Sequence, residues 1–179
     1  MKLSGSTTML ALACLVSSPV QGQATRLSPD DFRSRFNIEL SSHGLRMKLG
    51  SWKADSPRSV ALSALVTPDI RVIGQRDQEG RLSSVLFVMQ IAKTLESLGQ
   101  VLATVAATTY AANPELSQQD RELLFRELGF FDEGWAVRGL DGIAVRHGIT
   151  YRVLHPGSDT LITALVSWNA EDHPDSLAL

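Results

Sequence analysis

Phe32, Phe36 and Leu40 recur at every fourth position between Leu27 and Gly44. That spacing draws one apolar stripe down a helix. Ser28 suits the N-cap, Pro29 the first helical position, and Asp31 completes a capping-box-like pair. Asp30 and Asp31 sit at the positive end of the helix dipole. Leu27 can staple onto Phe32, and Gly44 suits the position just past the helix end.

After Gly44 the period drops to two. Leu45, Met47 and Leu49 alternate with Arg46 and Lys48, which predicts a strand over 45–53 with one wet face. Ser56-Pro57 interrupts it. Further strands are predicted over 59–67, 70–75 and 81–90, the last two joined by a turn at Asp77-Gln78-Glu79-Gly80. The longest helix follows. Ile91, Leu95, Leu98, Leu102, Val105 and Thr109 step by four and three, a core-facing stripe. Gly99, Ala103, Ala106 and Ala107 flank it, and close packing against a sheet is the expected reason for Gly99. Glu96, Gln100 and the threonines argue against a membrane span. Asn113-Pro114 ends this helix.

A third helix is predicted within 116–134, capped by Ser117 and Asp120 and closed by Gly129, with Phe130 folding back on Phe125. A short strand at 135–139 should follow. His147-Gly148 is a two-residue turn between strands around Ile143 and Tyr151. The last strand covers 160–168. The order is α-ββββ-αα-ββββ. Segregated strands and helices indicate α+β, an antiparallel sheet or sheets covered by the long central helix and two shorter ones.

The first residues belong to a different pattern. Lys2 precedes an apolar run from Met9 to Val16, and Ser17, Ser18 and Pro19 end it. Gly22 and Ala24 are small residues placed for cleavage before Thr25. This is the layout of a secretory signal peptide over 1–24, too short to span a bilayer. The expected location is therefore the periplasm or the exterior. A lipoprotein anchor at Cys14 is the weaker alternative, because Ala11 stands where such boxes favour leucine. Residues 25–169 would form one α+β domain and 170–179 a loose acidic tail.

Cys14 is the only cysteine among the 179 residues, so cleavage removes disulfide, thiolate and cysteine–metal chemistry together. Charged residues make up 20% and the formal net charge is -2, too mild to imply nucleic acid. Charge is uneven, however. Thr25 to Arg58 holds seven basic and four acidic residues, and Asn113 to Glu133 two basic and six acidic.

No motif for phosphate binding, a nucleophile elbow or zinc is present. His43, His147 and His155 read as turn or helix-end residues. Glu171, Asp172, His173 and Asp175 hold metal-capable atoms, but on the tail, where ordering entropy opposes a site. Asp132, Glu133 and Asp141 read as solvated loop acids. No catalytic residue, metal or cofactor is assigned. The residues assigned to a partner are Arg46 and Lys48, a basic strand face, and Trp52, Trp135 and Trp168, aromatics near strand ends. The Arg46/Lys48 face suits an anionic envelope component or an acidic protein, and equally serves as edge protection. The expected function is a non-enzymatic, exported binding or interaction protein. The alternatives are a small-ligand carrier with a cavity between the long helix and the sheet, and a hydrolase assembled from His147 or His155 with Asp132 or Asp141.

Overall fold

The computed structural model describes residues 25–92, 94–157 and 160–168. The signal-peptide segment, Cys14 and the acidic tail lie outside the described residues. The elements are α1 (Pro29–Ser42), β1 (Ala61–Thr67), β2 (Ile70–Arg76), β3 (Leu82–Gln90), α2 (Leu95–Ala112), α3 (Gln118–Glu127), α4 (Trp135–Arg138), β4 (Leu140–Arg146), β5 (Ile149–His155) and β6 (Leu161–Ser167). The fold is α+β, with one antiparallel sheet of six strands in the order β1-β2-β3-β6-β5-β4. Two three-stranded meanders meet at the centre, where β3 pairs with β6 from Ser84↔Ser167 to Gln90↔Leu161.

Helix α1 begins and ends as its sequence dictates. The Asp31 N–H donates to Ser28 Oγ at 3.1 Å, and Leu27 and Phe32 are both buried. At the far end the Leu45 and Gly44 N–H groups donate to the Leu40 and Ser41 carbonyls, a Schellman ending with Gly44 at φ 71°. Helix α3 repeats both devices. The Ser117 hydroxyl, bonded to Asp120 at 2.6 Å, holds that carboxyl below the usual carboxylate range. Phe130 packs on Phe125 at 5.3 Å beyond Gly129.

Both α1 and α2 lie on one face of the sheet, packed on each other. Phe36 stacks on Phe87 of β3 at 5.6 Å, and Phe32 meets Trp168 edge-on at 6.3 Å. These rings are fully or nearly fully buried and weld α1 to the sheet's central strands. Fully burying one such side chain stabilises by about 1.5–3 kcal/mol.

Three expectations are corrected. First, 45–53 is not a ladder strand. Its burial alternates, with Leu45, Met47 and Leu49 turned inward, but it meets β1 only through a Lys53↔Ser63 bridge and a Gly50 N–H to Leu65 carbonyl bond. A period of two reports which side is wet, and an extended segment beside a sheet satisfies it without regular pairing.

Second, 135–139 is the helical turn α4, not a strand, so the order is α-βββ-ααα-βββ. Its residues follow Gly134 at φ 73°, and the Arg138 and Gly139 N–H groups bond back to the Gly134 and Trp135 carbonyls. Four residues are too few for periodicity to separate helix from strand.

Third, α2 starts at Leu95, capped by the Thr94 hydroxyl, and its buried face is rotated from the expected stripe. Leu95 is 89% exposed, and Leu98 and Leu102 are half-buried. Ile91, Val105 and Thr109 of that stripe are buried as expected, and Val101, Thr104, Thr108 and Ala111 join them on the buried face. Threonine is tolerated there because each buried hydroxyl is satisfied within the helix. Thr104 donates to the Gln100 carbonyl and Thr108 to the Thr104 carbonyl, both at 2.7 Å. Gly99 is exposed, and a Cβ there would meet nothing within 4 Å. It is not a close-packing position. Gly142 of β4 is one, since a Cβ there would lie 2.5 Å from the Leu128 Cα.

The two glycines should therefore respond in opposite directions. Gly99→Ala is expected to raise stability by about 0.5–1 kcal/mol, the ordinary helix-interior gain. Gly142→Ala should lower it by about 1–3 kcal/mol, because backbone must move to admit the methyl group. Urea denaturation of the two variants checks both signs.

Candidate functional site

Along every strand, alternate side chains point to opposite faces. The helix side receives Val72, Val85, Phe87, Ala164, Val166 and Tyr151, all buried. The other side has no helix on it among the described residues. There the ladder registers align Ser63, Ile73, Leu86, Leu165, Arg152 and Ile143 into one row across all six strands. The adjacent row is Leu65, Arg71, Val88, Thr163, Leu154 and Asp141. Ile73, Leu86 and Leu165 thus form an apolar band at the centre, with Val88 beside it. Leu65, Leu154 and Ile143 stand nearer the edges, Ile143 at 52% exposure. Arg152 and Asp141 pair at 3.5 Å within this face.

The two edges of the sheet differ. At β1 the Ser63 N–H and carbonyl are both bonded to Lys53, the Leu65 carbonyl to Gly50, and the Ala61 carbonyl to the Ser59 hydroxyl. At β4 a two-residue turn, His147 at φ 50° and Gly148 at φ 76°, closes the hairpin to β5. Such a turn makes Arg146 and Ile149 a hydrogen-bonded pair. By alternation Ala144, Gly142 and Leu140 also face β5, and the backbone groups of Asp141, Ile143 and Val145 point outward. Among the described residues no backbone group bonds them. The Val145 carbonyl accepts only from the Arg146 side chain, at 2.9 Å.

The sequence-assigned residues are spread over the molecule. Arg46 and Lys48 are exposed on the segment that leads to the β1 edge. Trp52 is half-buried over Gly74, its indole N–H donating to the Pro29 carbonyl at 2.8 Å. Trp168 is buried against Phe32, and Trp135 meets Phe130 edge-on at 5.2 Å. No two of the tryptophans are in ring contact among the described residues, and none lies on the open rows. The histidines do not gather with Asp132 or Asp141 either. His147 Nδ1 lies 3.1 Å from Asn113 Nδ2, and the buried His155 ring sits between the Leu161 and Ala136 carbonyls at 3.1 and 3.2 Å. His43 meets Glu39 at 3.2 Å on the exposed end of α1. Among the described residues no three His, Cys, Asp or Glu side chains gather to hold a metal, and no helix is long and apolar enough to cross a membrane. The cluster from Glu171 to Asp175 lies outside the described residues.

The open face went unassigned at the sequence level, although its signal is present. Val85-Leu86-Phe87-Val88-Met89 is apolar without alternation. Such a run belongs to a strand covered on both sides. Comparison with protein-family models, with curated proteins and with solved structures finds no match.

One buried group on the covered side has a measurable signature. Burial pushes the Tyr151 phenol well above its ordinary value, with Arg146 pulling weakly the other way. Its Oη has no hydrogen-bond partner among the described residues. The unfolded tyrosine ionises near pH ~10, while the folded one keeps its proton, so stability falls as pH rises past that point. Tyr151→Phe is expected to keep or raise stability, by about 1 kcal/mol, and to flatten the alkaline loss. Thermal melts from pH 8 to 11 check it.

Proposed function

We propose that this chain is an exported, non-enzymatic binding protein that engages another polypeptide through the open face of its sheet. One observation carries the reading. The central strand β3 has the composition of a strand buried on both sides, yet helices cover only one. An antiparallel sheet with one solvated face normally alternates apolar with polar residues. Here the even-numbered positions Leu86 and Val88 are as apolar as their buried neighbours, and Ile73 and Leu165 extend them sideways. A contiguous apolar band rimmed by Gln75, Ser84, Thr150 and Thr163 is the usual anatomy of an interaction surface.

Export is supported by the pattern over 1–24, and a binding role by this face rather than by any tryptophan rim. Arg46 and Lys48 stay available for an anionic envelope component at the other side of the β1 edge.

Site-specific photo-crosslinking in the producing cell tests the proposal. A photoreactive residue at Leu86 should give a discrete higher-mass adduct, and one at Ser34 on the exposed side of α1 should not. Absence of any adduct from Leu86, Leu165 and Ile73 alike, in correctly folded protein, would remove the reading. Leu86→Arg should weaken the adduct formed from Leu165 by tenfold or more while leaving the melting temperature within a few degrees, since the position is already in contact with water.

A further inference from the structure

The unequal edges of the sheet lead past the open face. We infer that β4 is a docking edge, and that it takes up an extended, apolar peptide segment with basic flanks as a seventh strand. The inference rests on the reading of this chain as a polypeptide-binding protein, and names the partner's conformation and chemistry.

Three features carry it. The first is contrast. Open edges invite pairing and are normally blunted. This molecule does so in large part at β1, where Gly50, Lys53 and Ser59 bond the outward carbonyls of Leu65, Ser63 and Ala61 and the Ser63 N–H. Along the seven-residue β4 no backbone bonds the outward groups of Asp141, Ile143 and Val145 among the described residues, and only the Val145 carbonyl has a side-chain donor, Arg146.

The second is side-chain chemistry. Ile143 and Val145 are each 52% exposed and belong to the open face. An added strand would place its own alternate side chains beside them and form an apolar strip on the far side of Arg152 from the central band. Backbone bonds then supply affinity, and the alternate side chains supply selectivity.

The third is charge. The chain entering β4, from Asn113 to Glu133, carries six acidic and two basic residues. Helix α3 from this stretch packs against β4. Three of the cations near the strand are already engaged, Arg146 with Glu127 at 2.6 Å, Arg152 with Asp141 at 3.5 Å and Arg126 with Glu122 at 3.3 Å, while Arg138 is exposed two residues before the strand begins. Asp132 and Glu133 are exposed beside them. This surroundings favours a basic segment. It disfavours a second copy paired β4 to β4, which would bring two acidic α3 regions together.

The test uses the purified protein and defined peptides. KVTITVK is the probe, and EVTITVE is its charge-reversed twin. Amide exchange is read residue by residue by NMR. Saturating KVTITVK is expected to slow exchange at the Ile143 and Val145 N–H groups by tenfold or more, with the twin binding at least tenfold more weakly. KVTITVK with alternate amides N-methylated on one edge should not protect them, a control that needs no change to the protein. Ile143→Pro removes one outward donor while sparing the bonds to β5, and should abolish protection, whereas Ile143→Val should retain it. Absent protection at β4, or equal binding of the twin, overturns the inference. So does concentration-dependent protection without peptide, which would show a second copy at the edge. Peptide-induced shifts confined to Ile73, Leu86 and Leu165 would also overturn strand addition while leaving the open-face reading intact. Protection at β4 with no adduct from Leu86 would do the reverse.

Discussion

Everything in this molecule depends on the antiparallel contact between β3 and β6. It joins two meanders that are otherwise separate in sequence, and its seven residue pairs hold both in one register. A slip of a single residue would invert the faces of three strands at once. Phe87 would leave Phe36, and Val85 and Val166 would turn to water. The stacked rings of α1 therefore do more than fill space. They recognise one register, because only that register presents Phe87 beneath Phe36 at 5.6 Å. The sheet's centre is the least ambiguous part of the structure for this reason, and its margins are the most open to variation.

That same register creates the half-buried apolar band on the open face. Ile73, Leu86 and Leu165 are aligned by the pairing that buries Val72, Phe87 and Ala164. The two sides of the sheet cannot be adjusted independently, since they alternate along the same backbones. Leu86 and Val88, on the uncovered side of β3, are only half-buried in the isolated chain and leave part of their apolar surface in water. They make sense energetically when something else removes that surface from water, at about 25 cal/mol for each Å² of apolar area.

Much of the architecture was legible in the sequence, and the parts that were not share a physical cause. Elements with written ends were readable: Ser28 and Gly44 bracket α1, Ser117 and Gly129 bracket α3, and His147-Gly148 fixes the β4–β5 turn. Elements defined by period alone were read less evenly: strands formed within 59–67, 81–90 and 160–168, but not over 45–53. The alternation of 45–53 was real, yet pairing demands a partner with free backbone groups in step, which no local pattern encodes. The stripe of α2 was displaced in part because Thr104, Thr108 and Ala111 were not counted as core residues, although Thr104 and Thr108 hide their hydroxyls on the preceding turn. The tryptophans attracted attention as rare, large side chains, and the structure spends them on internal contacts: Trp52 over Gly74, Trp135 on Phe130, Trp168 on Phe32. The open face was harder to foresee. It is a property of rows across strands, and the order β3-β6-β5 that assembles those rows is set by tertiary pairing.

The short stretch from Gly50 to Lys53 has an outsized effect on what the molecule can become. A β-sheet grows into a fibre only if each subunit offers two receptive sides, one to give and one to accept. Lys53 and Gly50 plug one of them with their own backbone. With both Ser63 groups and the Leu65 carbonyl already bonded, edge-to-edge growth through β1 is impeded. The sheet gains a brake on open-ended growth at one edge from four residues that add no regular strand of their own.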